Sequence, residues 1–95
     1  MRTIHKYPLD FSEHCEVVVP MTVGARILAL QLQLGTPTLW AEVCTSAAPL
    51  VPRRFVIYGT GWTMPEYPWA GGQRHDLYIG TVQLYDLVWH VYEVF

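Results

Sequence analysis

Glycine or proline interrupts this sequence so often that no stretch predicts a helix of more than about one turn. Between these breaks apolar residues alternate with polar ones, and β-branched and aromatic residues predominate, as is typical of strands. The clearest alternation lies in Ala25–Leu34, where Leu28, Leu30, Leu32 and Leu34 fall on one face. We expect that leucine face to lie in the core.

Strands account for most of the chain. The prolines of Ser46–Pro52 exclude a central strand there and indicate an edge crossing or a surface connection. Mostly meandering strands in a single domain spanning residues 1–95 predict an all-β fold, either a small β-sandwich or a partly open barrel of about seven strands. We predict the strands at Thr3–Tyr7, Cys15–Val19, Ala25–Leu34, Thr38–Cys44, Arg53–Tyr58, Leu77–Leu84 and Leu87–Phe95.

Composition restricts the classes of partner. An apolar share of 52% excludes intrinsic disorder and is high for so small a domain, so we predict that a second copy covers part of the surface in a homo-oligomer. A net charge of −2 argues against bulk nucleic acid as a partner. No apolar run approaches the roughly 20 residues that span a bilayer, and the first residues lack a signal-peptide pattern, so we predict a cytoplasmic protein with no membrane contact.

The two cysteines, Cys15 and Cys44, belong to no Cys-x-x-Cys motif and have no histidine at metal-ligand spacing. In a reducing compartment both are expected to be buried or half-buried thiols. The sequence therefore predicts no metal site and no cofactor.

The most informative segment is the long connection over residues 60–75. It is too long for a hairpin turn and too aromatic for a solvated linker. Aromatic rings stack nucleobases and arginine binds phosphate, so this composition predicts a lid over a nucleotide pocket. Two alternatives stay open, in which the rings seal the sandwich or pack against a neighbouring subunit and complete a shared site there.

The strand before this connection ends in Gly59-Thr60-Gly61, which is either a cradle of backbone amides for a phosphate or an ordinary turn. Arg53 and Arg54 point to opposite faces of that strand, so at most one of them serves a given pocket. The predicted ligand-binding residues are Arg54, Tyr58, Gly59, Thr60, Gly61, Trp62, Tyr67, Trp69, Arg74 and His75.

Catalytic motifs are not visible. His90 and Tyr92 share one face of the last strand, and a histidine inside a sheet is by default a hydrogen-bonded structural residue. The sequence contains no Gly-x-Ser-x-Gly and no His-Glu-x-x-His. We therefore predict that the protein is not an enzyme.

Several motifs together resemble a family of short proteins encoded by bacteriophages and prophages. These are P-x-x-x-G-A-x-I-L from Pro20, Q-x-Q-x-G-x-P-x-L-W-A from Gln31, R-F-x-I-Y-G-T-G from Arg54, Y-I-G-T-x-Q from Tyr78, and V-W-H-V-Y-E from Val88. The resemblance covers nearly the whole chain and implies a role during infection. Small phage proteins often disable a host defence component or its nucleotide messenger.

Two functions from different classes follow. The first is a counter-defence protein that binds and sequesters a small nucleotide-type immune signal without turning it over. The alternative is a protein-binding or virion-associated module whose aromatic loop docks on a protein, because interface anchors are also rich in Trp, Tyr and Arg. A hydrolase is disfavoured for want of an acid–base pair.

Overall fold

Seven antiparallel strands form two β-sheets in the computed structural model, which describes residues 1–10, 16–45, 49–64 and 76–95. The described residues contain no helix, and the sheets are not closed into a barrel, so the all-β prediction is confirmed as a sandwich of two sheets. In chain order the strands are β1 (Arg2–Pro8), β2 (Glu16–Thr22), β3 (Arg26–Gln33), β4 (Thr36–Cys44), β5 (Leu50–Gly59), β6 (Asp76–Leu84) and β7 (Leu87–Val94).

One sheet has three strands in the order β1-β4-β3, and the other has four in the order β2-β5-β7-β6. The expected meander is therefore wrong, since only β3–β4 and β6–β7 are neighbours both in the chain and in a sheet. The chain changes sheets between β2 and β3 through a turn in which Ala25 N–H donates to the Thr22 carbonyl at 3.0 Å. Gly24 takes a φ of 79° in this turn, a conformation that favours glycine.

The core lies between the two sheets. Alternate residues of the central strands point into it: Leu39, Ala41 and Val43 from β4, and Phe55 and Ile57 from β5. The prediction that Phe55 and Ile57 lie inward is confirmed, because both are at most 2% exposed. The opposite faces of the same strands form the two outer surfaces of the sandwich.

The expectation that four leucines of β3 line the core is wrong for three of them. Leu30 is buried, but Leu28, Leu32 and Leu34 are exposed. A bulge separates the pairs Ile27–Ala41 and Ala29–Trp40, so Leu28 is an extra residue with no partner on β4. Leu34 lies beyond the strand, in the turn that joins β3 to β4.

The prolines of β2 and of the start of β5 lie where the ladder has a partner strand on one side only. β2 is an edge strand. β5 begins at Leu50, so the predicted start at Arg53 was three residues too late. Pro52 pairs with Pro20 in a part of β5 that lies outside its ladder with β7, which begins at Arg54. A proline at such a position removes no hydrogen bond from a central ladder.

The structure tests the predicted burial for one of the two cysteines. Cys44 is exposed at the end of β4, so the prediction of a buried or half-buried thiol is wrong for it, and Cys15 lies outside the described residues. Within the residues that the structure describes, no helix is long and apolar enough to cross a membrane.

Candidate functional site

The outer face of the four-stranded sheet carries a row of three tyrosines. The ladders place Tyr92 of β7 directly opposite Tyr78 of β6 and Val56 of β5. The Tyr92 ring meets Tyr78 edge to face with centroids 5.5 Å apart, and meets Tyr58 in the same way at 6.1 Å. Such T-shaped contacts are the favoured geometry of aromatic pairs. Tyr78 is the open end of the row, with 53% of its surface exposed.

A chain of hydrogen bonds runs beside these rings. His90 lies between two threonine hydroxyls, with Nε2 2.7 Å from Thr60 Oγ1 and Nδ1 3.0 Å from Thr81 Oγ1. Thr81 Oγ1 also bonds the hydroxyl of Tyr78, and Thr60 Oγ1 donates to the Val88 carbonyl at 3.4 Å. We call the exposed part of this face the tyrosine–histidine surface; it consists of Thr60, Tyr78, Thr81, His90 and Tyr92.

The direction of this chain follows from its end. A carbonyl only accepts, so the Thr60 hydroxyl that donates to Val88 must accept from His90 Nε2–H. When the ring is neutral, its proton therefore lies on Nε2, and Nδ1 accepts from the Thr81 hydroxyl, which accepts in turn from Tyr78.

Two residues under this surface are buried on the side away from the core. Val56 is 6% exposed and Tyr58 is 9% exposed, but neither belongs to the core cluster between the sheets. Their strand alternates, with Phe55 and Ile57 pointing inward. The outer face therefore has a packed base of its own, which holds the exposed rings and hydroxyls in place.

The two neighbouring arginines point to opposite faces, as the sequence predicted. Arg54 lies on the outer face, where its Nε is 2.7 Å and its Nη2 2.6 Å from Glu16 Oε1. More than half of its side-chain surface is exposed, at 56%. Arg53 points inward and forms a buried ion pair with Glu93. Only Arg54 can therefore serve a ligand on the outer surface.

The segment Gly59-Thr60-Gly61 forms a turn. Trp62 N–H donates to the Gly59 carbonyl at 3.0 Å, and Gly61 takes a φ of 86° at the third position, the pattern of a type II turn. Thr60 N–H donates to the Val88 carbonyl at 3.1 Å. The amides of Thr60 and Trp62 are thus used inside the protein, and the contribution of this segment to the outer surface is the Thr60 hydroxyl.

Trp62 lies on the other side of the sheet. Its ring rests on Gly59 and meets Trp89 edge to face with centroids 5.2 Å apart. Trp89 neighbours His90 on β7 and so points to the opposite face. The structure therefore places Arg54, Tyr58 and Thr60 on the outer face, with Arg54 two turns of the pleat before Tyr58, and separates Gly59 and Trp62 from them. Four predicted site residues lie outside the described residues: Tyr67, Trp69, Arg74 and His75.

Sequence reasoning missed Tyr78 and Thr81. In a regular strand, residues three apart point to opposite faces, so alternation alone separates them. The signal that could have grouped them is Gly80, because an isolated glycine within a strand often marks a bulge. A bulge at Ile79 shifts the register between the pairs Tyr78–Tyr92 and Gly80–Val91, and this places both side chains on the outer face. The shared face of His90 and Tyr92 was predicted from alternation and is confirmed.

The described residues were also compared with the side-chain sets that hold metal ions. Among them, no group of three or more His, Cys, Asp or Glu side chains is placed to hold a metal ion. The groups that the tyrosine–histidine surface offers are phenol rings, hydroxyls and one imidazole. Phenol rings and hydroxyls of this kind stack on planar molecules and form hydrogen bonds with their edges.

The sequence matches the model of a known domain family over its full given length. A model of a domain family described as a domain of unknown function, DUF7352, matches residues 1–95. The protein belongs to the DUF7352 family. No curated protein and no solved structure matches this DUF7352 chain. The match spans the whole two-sheet fold and leaves the activity to be argued from the site.

Proposed function

We propose that this protein binds a small nucleotide-type molecule on the tyrosine–histidine surface and holds it without turnover. The observation that carries the proposal is the pairing of an exposed tyrosine row with a hydroxyl–imidazole chain on one sheet face. Aromatic side chains on a sheet surface are a recurrent platform for nucleobases, and hydroxyls beside them bond base edges. In the setting that the phage resemblance implies, such capture removes a defence signal by mass action.

The row of three tyrosines has one end that is open to solvent. Tyr92 is held between Tyr58 and Tyr78, so its edge contacts are already made, whereas the Tyr78 ring is half exposed. A base that stacks on Tyr78 comes within reach of Thr81, which lies on the same face. Gln83 follows Thr81 on that face and is exposed, and its amide can donate to and accept from a base edge.

Arg54 supplies the charge that a phosphate requires. Tyr78 is on the same face, two residues along and two strands across from Arg54, which corresponds to about 7 Å along the strands and about 10 Å across them. The arginine side chain and the sugar of a nucleotide together span that gap, so a nucleotide whose base stacks on Tyr78 can place a phosphate near Arg54. Glu16 occupies the guanidinium at present, and a phosphate has to compete with this carboxylate.

Holding without turnover is supported by the partners of His90. Both ring nitrogens bond threonine hydroxyls, whereas a histidine that acts as a general base is usually oriented by a carboxylate. The hydroxyl chain instead fixes the ring as a hydrogen-bonding group. This arrangement suits binding better than proton transfer.

The test is calorimetric titration with mononucleotides, cyclic dinucleotides and cyclic ADP-ribose isomers. Replacing Tyr78 by Leu is expected to weaken binding about 5- to 150-fold, because stacking contributes roughly 1–3 kcal/mol per base. Tyr78→Phe is expected to keep most of the affinity. The matched control is Tyr85→Leu, which changes an exposed tyrosine in the β6–β7 turn. Ligand recovered intact from the denatured complex agrees with the proposal, and a hydrolysed product contradicts the absence of turnover.

A charge series locates the phosphate. Arg54→Gln is expected to weaken nucleotides and leave the matching nucleosides unchanged, whereas Glu16→Gln is expected to tighten nucleotides alone by releasing the guanidinium. No binding by any nucleotide at millimolar concentration contradicts the proposal, and specific capture of a protein through Tyr78 then favours the docking alternative. Phage origin, homo-oligomer assembly and a cytoplasmic location stay predictions.

A further inference from the structure

Two tryptophans form a right-angled corner at one end of the four-stranded sheet. The Trp62 and Trp89 rings have centroids 5.2 Å apart and an interplanar angle of 87°. In an edge-to-face pair one ring stands on the face of the other, so two π faces border the angle between them. Trp62 is 48% exposed, so the corner is open to solvent on its side.

The backbone fixes the orientation of Trp62. A Cβ atom on Gly59 would lie 2.8 Å from Trp62 Cε2 and Nε1, so the ring occupies space that only a glycine leaves open. The turn that follows is closed by the bond from Trp62 N–H to the Gly59 carbonyl, and Gly61 supplies its positive φ. Two glycines are therefore used to place one exposed indole.

The corner borders a cavity of about 230 Å³ between this turn and the β6–β7 hairpin. Among the described residues that line it, Asp86 alone carries a formal charge. The remaining lining is aromatic, aliphatic or backbone, and comes from Gly59, Thr60, Trp62, Leu87, Val88 and Trp89.

We propose that this corner, between Trp62, Trp89 and Asp86, binds an organic cation of the quaternary or methylated ammonium class. The π faces of tryptophan attract such a cation more strongly than other aromatic rings do, and the attraction grows as water is displaced. The Asp86 carboxylate adds an opposite charge, and Leu87 and Val88 present apolar surface that suits methyl groups. A phosphate is disfavoured, because the same carboxylate repels it.

This site uses different binding groups from the proposed nucleotide site. Trp89 and His90 are neighbours on β7 and point to opposite faces of the sheet, so the two indoles lie apart from the tyrosine row, although Thr60 borders both sites. A nucleotide experiment that fails does not touch the cation proposal, and the reverse also holds.

The experiment compares choline with its neutral analogue 3,3-dimethyl-1-butanol, in which carbon replaces the charged nitrogen. Titrations of the full chain are followed by the indole N–H signals in ¹H–¹⁵N NMR at constant ionic strength. We expect choline to shift the Trp62 and Trp89 signals saturably, with a Kd in the millimolar range, and the neutral analogue to bind at least 5-fold more weakly. Equal binding of the two compounds overturns the proposal, as does the absence of a saturable shift.

Three variants locate the site. Asp86→Asn is expected to weaken choline about 3- to 10-fold, and Trp62→Leu to abolish the saturable shift of the Trp89 signal. Gly59→Ala keeps both tryptophans but displaces the Trp62 ring. Loss of choline binding in this variant would therefore show that binding depends on the position of the ring and not only on the presence of tryptophan. The control is Trp40→Leu on β4 in the other sheet, which is expected to bind choline normally. Unchanged binding in Gly59→Ala, with a native spectrum elsewhere, contradicts the assignment.

Discussion

The Glu93 carboxylate binds the Arg53 guanidinium through two hydrogen bonds, with Nε 2.6 Å from Oε2 and Nη2 2.7 Å from Oε1. Arg53 Nη1 donates a third bond to the Ala25 carbonyl, at 2.5 Å. The pair therefore connects β5 and β7 of one sheet to the residue that precedes β3 of the other. Glu93 is 2% exposed and the Arg53 side chain 20% exposed, so the carboxylate of this bidentate pair is buried and the guanidinium is mostly buried.

Removing one partner of this pair is expected to cost more than removing both. Arg53→Met leaves a buried carboxylate without its partner, and we expect the free energy of unfolding to fall by about 3–5 kcal/mol. The double variant Arg53→Met with Glu93→Leu replaces the pair by apolar side chains and is expected to recover most of that loss. Urea denaturation measures both values.

The matched control is the exposed pair on the adjacent residue. Arg54→Met breaks the contact with Glu16, whose side chain is 44% exposed, and is expected to cost at most about 1 kcal/mol. Similar losses in Arg53→Met and Arg54→Met contradict a buried, structural role for Arg53.

The contribution of Arg53 is expected to persist at alkaline pH. Its hydrogen bond to Glu93 raises the pKa of Arg53 above the ordinary value, against the opposing effect of burial. A cationic group whose pKa is higher in the folded protein stabilises the fold at every pH below its unfolded-state pKa, and for arginine that pKa lies well above pH 10. The difference in unfolding free energy between wild type and Arg53→Met should therefore not shrink between pH 7 and pH 10. Urea titrations at three pH values in that range test this, and a falling difference contradicts it.

The turn between β3 and β4 has a residue poorly suited to its conformation. Leu34 takes a φ of 49° and Gly35 one of 79°, the two positive values of a type I′ hairpin turn. Leu34 is fully exposed, so its side chain contributes no burial. Leu34→Asn creates Asn-Gly, the favoured pair for this turn, and is expected to raise the free energy of unfolding by about 0.5–1 kcal/mol.

The neighbouring glycine provides the opposite control. A Cβ on Gly35 meets nothing within 4 Å, so Gly35→Ala changes only the backbone preference and is expected to destabilise by about 1 kcal/mol. Thermal denaturation of both variants tests whether Leu34→Asn raises the melting temperature and Gly35→Ala lowers it. Equal effects of the two substitutions would exclude turn conformation as their cause.

Alternation along the sequence fails at the two bulges found in the described strands. Alternation predicted the strands and the inward positions of Phe55 and Ile57, because the side-chain period of two is a local property. One extra residue reverses that period. No glycine marks the bulge at Leu28, whereas Gly80 beside the bulge at Ile79 is a sequence signal that alternation alone does not use. Leu28 was therefore assigned to the core, and Tyr78 and Thr81 were not recognised as neighbours.

The candidate site depends on which residues face each other across neighbouring strands as well as on the alternation of side chains within each strand. His90 and Tyr92 could be assigned to one face from β7 alone, but the partners of His90 come from β6 and from the turn after β5. Which strands are adjacent is set by the packing of the whole chain, and the order β2-β5-β7-β6 is not the meander expected. The ion pair of Arg53 with Glu93 was missed for the same reason, since the two residues lie 40 positions apart.

The hydrogen-bond chain predicts the tautomer of His90. Because the Thr60 hydroxyl donates to Val88 and accepts from His90, the neutral imidazole should carry its proton on Nε2. Long-range ¹H–¹⁵N correlation at a pH where the ring is neutral distinguishes the two nitrogens directly. Thr60→Val removes the acceptor at Nε2 and is expected to give a mixture of tautomers, whereas Thr45→Val, which changes a hydroxyl bonded to the Met1 carbonyl, is expected to leave the spectrum of His90 unchanged. A dominant Nδ1–H form in the wild type would contradict this direction.

The contact between the two sheets at Gly80 and Leu30 is expected to tolerate no added methyl group. A Cβ there would lie 3.2 Å from Leu30 Cβ and 3.4 Å from its Cδ2, and Leu30 is 8% exposed in the core. The nearest atom is attached directly to the β3 backbone, so the strands themselves must separate. We expect Gly80→Ala to lower the free energy of unfolding by about 1–3 kcal/mol, as overpacking does. In a double-mutant cycle with Leu30→Gly the combined loss should fall short of the sum by at least about 0.5 kcal/mol, because the second change removes the clash that the first creates. Strict additivity in urea denaturation would show that the cost of Gly80→Ala arises elsewhere.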